Sequence, residues 1–442
     1  MYKVYFITFG CKVNSCETES MKRLFLEHGF VLAEDEASAD VFIVNSCTVT
    51  QGGDSKSLYA VRRLKHAYSG AVVALTGCLP QAAEQGREIC PEADIIAGTN
   101  ERAALPGLVE ACIDGKKRIT RIVPHKRGDS FEKLPVGGLS KGGRTRGFLK
   151  IQDGCDCFCS YCLIPYARGR CRSKPLQDVA EDAGKLAETG HREIVLVGIN
   201  LAFYGREYGL RLVDAVEVCC RIDGIQRVRL GSIEPEMLSE DDLLRLSMLP
   251  EFCPQFHLSL QSGSRATLER MNRKYTPGEY AAIVDKIRKY FPDASFTTDI
   301  MVGFPEETDE EFSESLEFAE KIGFSKIHVF RYSRRKGTPA EKMKQVSENV
   351  KSERWERMNR LGEKLSRKYL ESLVGRTVPV LFEKENSPDF HRGHAPDHTL
   401  VEVPVKKSEK NMKNSLRNSV FYVIIEECRG DHCIGSIVSG AE

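Results

Sequence analysis

A chain of 442 residues with 41% hydrophobic and 29% charged residues has the size and composition of two or three globular domains, and a formal charge of +1 names no partner. Sixteen cysteines in so long a chain, opening Met1-Tyr-Lys-Val-Tyr-Phe-Ile-Thr8 with no signal-peptide pattern, speak against a secreted disulfide scaffold. No apolar run approaches the roughly 20 residues that span a bilayer, so the expectation is a cytoplasmic protein, off the membrane, whose clustered cysteines serve metal or redox chemistry.

Residues 1–115 read as a parallel α/β sheet domain. Buried strands are expected at Val4–Thr8, Val41–Val44, Val72–Leu75 and Ile95–Ile96, with helices such as Glu17–Gly29 and Ser55–Ala67 between them. Cys11, Cys47 and Cys78 each follow directly on one of these strands. The carboxyl ends of parallel strands share one edge of the sheet, so three cysteines distant in sequence are expected to meet there. Any one of them alone reads equally well as a small buried strand-end residue. Cys16, Cys90 and Cys112 have no such setting and read as ordinary thiols.

Residues 116–144 read as a basic linker. From Lys116 to Lys174 fifteen Lys and Arg stand against four Asp and Glu, a collar suited to a polyanion such as RNA, or else a solvated linker. Within it lies Cys155-Asp-Cys-Phe-Cys159-Ser-Tyr-Cys162, a Cys-x3-Cys-x2-Cys run. One short loop can point the three thiolates of Cys155, Cys159 and Cys162 at one iron–sulfur cube and leave the fourth iron open, the catalytic arrangement. With Cys157 inside the loop a zinc site is conceivable, although zinc loops usually place two Cys-x2-Cys pairs well apart.

From 145 to 372 strand-like runs recur near Phe148–Ile151 and at Glu193–Gly198, Arg227–Ser232, Phe256–Leu260, Phe296–Ile300 and Lys326–Phe330. Six βα units predict a partial (β/α)6 barrel with its chemistry at the carboxyl face and an opening for a macromolecule. Pro339–Leu373, with apolar residues at helical spacing, reads as an amphipathic connecting helix. Residues 373–442 alternate in short strands, such as Val378–Phe382, Leu400–Val405 and Val420–Glu426, and predict a small β-barrel. Nine Lys and Arg against ten acidic residues in 372–442 show that this barrel is not basic.

The cysteine loop and its surroundings, Ile151-Gln-Asp-Gly-Cys155 and Ile164-Pro-Tyr-Ala-Arg-Gly169, resemble the radical S-adenosylmethionine methylthiotransferase family. So do Thr8-Phe-Gly-Cys-Lys-Val-Asn14, Val44-Asn-Ser-Cys-Thr-Val-Thr50 and Thr76-Gly-Cys78, although Leu79-Pro80 replaces the usual Tyr-Ala. His394–Val403 resembles the centre of a TRAM domain, the RNA-binding module that ends these enzymes. The resemblance implies two 4Fe-4S clusters, one on Cys155, Cys159 and Cys162 and an auxiliary one on Cys11, Cys47 and Cys78. It also implies S-adenosylmethionine, cleaved to a 5′-deoxyadenosyl radical, with Gly198, Ser232, Gln261 and Asp299 as candidate lining residues or, equally, barrel-packing ones. Cys157, Glu306 and Arg331 depart from the family pattern, which has a polar residue, Gly and Pro there.

The implied reaction inserts a methylthio group at C2 of a modified adenosine beside the tRNA anticodon. It draws on an electron donor such as flavodoxin or ferredoxin and on a sulfur source. Lys12-Val13-Asn14 most resembles the branch acting on threonylcarbamoyl-adenosine. The isopentenyl-adenosine branch usually has Gln-Met-Asn there, and the branch modifying a ribosomal protein aspartate has Pro-Lys-Asn. Outside the enzymes, a two-cluster electron carrier or sensor is the alternative.

Overall fold

The computed structural model describes residues 1–83, 89–115, 117–136, 145–235, 238–383, 389–405 and 416–438. The chain is α/β throughout its first two sheets and ends in a closed β-barrel.

The amino-terminal sheet has six parallel strands in the order Val31–Leu32, Lys3–Thr8, Val41–Ser46, Val72–Gly77, Ile95–Ala97 and Ile119–Arg121. Its central strand, Val-Phe-Ile-Val-Asn-Ser, is buried at every position, because helices cover both faces. Met21 and Phe25 of the helix Lys12–Glu27 pack on one face with Leu105 and Val109, and Val61 and Leu64 of Gln51–Ala67 pack on the other. The sheet reaches further than expected. Its last strand lies inside the stretch read as linker, where Ile119 pairs with Ile95 although it is the one apolar residue of the strand. Of the remaining linker, residues 116 and 137–144 lie outside the described residues.

The middle sheet carries the six expected strands, all parallel: Arg146–Lys150, Glu193–Val197, Arg227–Leu230 with Ser232–Ile233, Gln255–Leu258, Ser295–Val302 and Lys326–Arg331. The third strand breaks at Gly231, whose N–H donates to the carbonyl of Leu196 at 2.8 Å, and this bend splits the wall into a three-stranded and a four-stranded part. The first and last strands do not pair with each other, so the barrel is open. The connecting helix is Glu348–Glu371, shorter than the periodicity predicts. It starts where Ser347 Oγ caps the N–H of Val350, after a separate turn at Pro339–Lys342.

Five strands, Thr377–Phe382, Phe390–His394, Leu400–Pro404, His432–Ile437 and Val420–Arg429, close the carboxyl-terminal barrel around Val380, Phe382, Val401, Val423 and Cys433. Its 394–399 loop closes the amino end of the large barrel. Arg227 donates to the carbonyls of His394 at 2.7 Å and Pro379 at 2.8 Å, and Arg229 donates to that of Pro396 at 2.7 Å. Arg229 is also paired with Glu193 at 2.8 Å, and both side chains are at most 2% exposed. The segment that resembles the heart of an RNA-binding module is therefore a plug between domains. Arg229→Met is expected to cost about 3–5 kcal/mol by stranding Glu193, and to loosen the last barrel; denaturant unfolding and proteolysis near residue 375 check both.

Candidate functional site

The three strand-end cysteines of the first domain do converge. Gly10, with φ +110°, passes so near Cys47 that a Cβ there would lie 3.0 Å from its Sγ. Gly77, with φ +101°, brings Cys78 round past Asn45 and Ser46, where a Cβ would lie 2.6 Å from Asn45 Oδ1. Only glycine takes these turns without strain, which is why two of the cysteines follow one. Asn14 ties the loops together by donating through Nδ2 to the carbonyls of Phe9 and Ser46, both at 2.9 Å. Ser46 Oγ adds a bond to the carbonyl of Thr76 at 2.6 Å.

The cysteine loop of the barrel is equally fixed. Ser160 N–H donates to the Met271 carbonyl at 3.0 Å, its Oγ to that of Arg270 at 2.7 Å, and its carbonyl accepts from Ala340 N–H at 2.8 Å. Phe158 is held with φ +48° between the Arg170 guanidinium, 4.7 Å from its ring centre, and Tyr166.

Hydrogen-bond direction separates two classes of cysteine. Cys47 Sγ accepts from Val49 N–H at 3.4 Å, Cys78 from Arg168 Nε at 3.2 Å, Cys155 from Cys157 N–H at 3.5 Å, Cys159 from Arg273 Nη1 at 3.5 Å and Cys162 from Ile164 N–H at 3.4 Å. Asn200 Nδ2 adds a longer contact to Cys155 at 3.9 Å and one to Cys157 at 3.4 Å. Cys16, Cys90 and Cys171 instead donate, to the Phe148 carbonyl, Glu92 and the Gly154 carbonyl. Accepting sulfurs suit thiolate or cluster ligands, and donating ones suit plain thiols. Two sulfurs fall outside the division: Cys11, the exposed member of its trio, faces Asn14 Oδ1 at 3.7 Å, and Cys157 both accepts and donates. The Cys157 thiol donates to Cys155, and this bond brings Cys155 down to about 7 against the opposing effect of burial. Burial pushes Cys162 up to about 12 and Cys78 up to about 11, so both need a metal's charge to ionise at neutral pH. Among the described residues no three His, Cys, Asp or Glu side chains are gathered tightly enough for one metal ion, whereas a cluster cube spreads its ligands.

Arg168 links the two cysteine sites. It is wholly buried, follows the cysteine loop, and reaches into the first domain to Cys78, to Asn14 Oδ1 at 2.7 Å and to Glu17 Oε2 at 3.0 Å. Around it Lys150 bridges Glu17 and Asp153 at 2.6 Å each, Arg172 meets Asp153 at 3.1 Å, and Arg102 meets Glu17 and Glu132 at 3.0 Å each. Four cations thus face three carboxylates, leaving one positive charge beside Cys78, which suits an anionic cluster. Several of the basic residues read as an RNA collar are consumed this way: Arg168, Arg172 and Lys174 are buried in ion pairs and Lys150 is half-buried in one.

The candidate cofactor residues lie around the barrel mouth. Gly198 follows its strand closely packed on Gln152, Ser232 is exposed after the Gly231 bend, and Gln261 sits at φ +67° bonded through its backbone to Asp299 and Met301. Asp299 lies lower, within the strand Ser295–Val302, and faces inward 3.4 Å from His257 Nε2. Sequence reasoning missed Asn200 and Glu234, which sit in motifs it quoted, and Arg273, which pairs with Glu234 and for which no signal existed. Glu306 adopts φ +63°, a backbone conformation that favours the glycine expected there from the resemblance.

Two families account for the two halves of this site: the "Radical SAM superfamily" matches residues 149–319 and "Uncharacterized protein family UPF0004" matches residues 3–98. The threonylcarbamoyladenosine tRNA methylthiotransferase MtaB of Bacillus subtilis is 37% identical over 87% of this chain and 85% of its own length. The chain belongs to the radical S-adenosylmethionine tRNA methylthiotransferase family. MtaB of Thermotoga maritima is likewise 37% identical, over 85% of each chain. The tRNA-2-methylthio-N(6)-dimethylallyladenosine synthase of Pelotomaculum thermopropionicum is 36% identical over 87% of each. Among solved structures, the radical S-adenosylmethionine methyltransferase TsrM of Kitasatospora setae shares the fold, with a TM-score of 0.54 and 14% identity over 77% of this chain and 74% of its own. The enzyme is thus one whose family employs a 4Fe-4S cluster and S-adenosylmethionine, and no described helix is long and apolar enough to cross a membrane.

The charge network makes the enzyme acid-sensitive. Burial pushes the Glu17 carboxyl up, but Arg102, Arg168 and Lys150 together outweigh it and hold it at about 2, below the usual 4.5. The folded state is therefore favoured fully above 4.5, and this contribution drains away as pH falls from 4.5 toward 2. Glu17→Gln is expected to cost about 3–5 kcal/mol at pH 7, with the gap to the unaltered enzyme closing below pH 4, as read from denaturant midpoints across pH.

Proposed function

We propose that the enzyme methylthiolates C2 of threonylcarbamoyl-adenosine next to the anticodon of tRNA. Two trios of cysteines, Cys155, Cys159 and Cys162 and Cys11, Cys47 and Cys78, would each hold a 4Fe-4S cluster. The observation that carries this reading is the Arg168 bridge, which ties the turn after the barrel's cysteine loop to Cys78, Asn14 and Glu17 of the first domain. A carrier or sensor has no need of a barrel chamber beside such a junction. A methylthiotransferase needs one, since the hydrogen must leave and the sulfur arrive at the same carbon.

Bound there, a reduced cluster with S-adenosylmethionine supplies the one-electron chemistry that makes an unactivated C–H bond reactive. The chain's residues do the rest. Asn200 and Arg273 orient the sulfurs of Cys155 and Cys159, and Gly198, Ser232 and Gln261 leave room for the cofactor at the barrel mouth. Arg168 steadies Cys78. Identity alone does not choose the substrate, because relatives named for threonylcarbamoyl- and dimethylallyl-adenosine stand at 37% and 36%. Lys12-Val13-Asn14 favours the first.

Cys155→Ala is expected to abolish both 5′-deoxyadenosine release and product, while Cys47→Ala keeps the release and loses the product. Anaerobic assays with iron counts on the purified variants check this. The substrate is tested by mass spectrometry of tRNA nucleosides from cells lacking the chain, before and after it is restored. Methylthio-threonylcarbamoyl-adenosine appearing on restoration supports the reading, and methylthio-isopentenyl-adenosine in its place refutes the branch.

A further inference from the structure

The helix Lys12–Glu27 starts against the barrel strand Glu193–Val197. Val13 packs against Val195 and Val197, whereas Ile194 and Leu196, which alternate with them, pack outward into the main core. Val13 therefore meets the inward face of that strand, and Lys12, one residue earlier, lies near enough to the enclosed chamber for its charge to act on residues of several barrel strands. The Lys12 side chain is open to water yet ringed by protein. Its charge is felt by Asp299 and His328 on the chamber wall and by Arg229, Arg146 and Glu193 at its floor.

Nothing in the fold accounts for a lysine there. It occupies the first turn of a helix, where the peptide dipole is positive, and it looks toward two arginines. Glu193 is paired with Arg229 at 2.8 Å, and Asp299 lies 3.4 Å from His257 Nε2 without a hydrogen bond. Lys12 itself makes no hydrogen bond or ion pair with any described residue. A cation held beside a proposed cluster ligand, near acidic groups but in no direct ion pair with a described residue, is an opening for an anion.

We infer that Lys12 binds the carboxylate of the threonylcarbamoyl group and thereby selects this substrate over dimethylallyl-adenosine, an inference that rests on the function proposed above. The carboxylate forms a charge-assisted bond with the ammonium. A dimethylallyl group strips water from it and returns nothing. The methionine carboxylate of S-adenosylmethionine has the same chemistry, so the test must separate the two.

The test uses the full-length, cluster-loaded enzyme and three anticodon stem-loop RNAs. They carry threonylcarbamoyl-adenosine, its threoninamide counterpart, or dimethylallyl-adenosine. The unaltered enzyme is expected to prefer the acid over the amide by roughly 10- to 100-fold in kcat/KM. Lys12→Gln should bring that ratio near one, mainly through KM for the acid, and Lys12→Arg should restore most of it. Binding of S-adenosylmethionine, measured separately on the same proteins, should change by less than about threefold. An unaltered enzyme that does not distinguish acid from amide overturns the inference. So does a Lys12→Gln enzyme that keeps the ratio but loses affinity for S-adenosylmethionine, which reassigns Lys12 to the cofactor. If the unaltered enzyme acts on the dimethylallyl RNA alone, or on none of the three, the proposed function itself fails before any variant is needed.

Discussion

The structure turns on one buried guanidinium. Arg168 belongs by sequence to the turn after the barrel's cysteine loop, but its partners, Glu17, Asn14 and Cys78, belong to the first domain. A charge with no exposure to water is tolerable only when every donor is satisfied and counter-charges are close. Glu17 and Asp153 provide them, and Lys150, Arg102 and Arg172 in turn balance those carboxylates. The two domains therefore cannot shift relative to one another without exposing or stranding charge. Such a lock suits chemistry in which a short-lived radical and a sulfur must meet at one carbon.

Much of this was legible in the chain. Strands announce themselves where both faces are buried, as in Val41–Ser46, because every residue must then be apolar or small. The carboxyl-edge rule brings Cys11, Cys47 and Cys78 together without any knowledge of side-chain contacts. The three loop cysteines are legible because their spacing is local.

What escaped the sequence is what depends on contacts between distant segments. The strand Ile119–Arg121 is too short and polar to stand out, and it exists because Ile95–Ala97 offers it an edge. Basic residues from 116 to 174 look alike in a one-dimensional count, yet Arg168 and Arg172 are internal struts while Arg170 lies at the surface against Asp156. His394–Thr399 reads as part of an RNA-binding module but plugs the barrel floor through the carbonyls that Arg227 and Arg229 take up. Lys12 was noticed as a motif letter. Only the folded chain sets it beside Asp299, His328 and Arg229 of the barrel.

The central claim is that two clusters sit near one another across the junction that Arg168 closes. Pulsed electron paramagnetic resonance on the reduced, cluster-loaded enzyme tests it most directly. The account predicts two cluster signals with measurable magnetic coupling, and loss of one of them, with its coupling, when Cys47 is replaced by Ala. A single cluster signal in the unaltered enzyme, or two signals with no coupling, would contradict it.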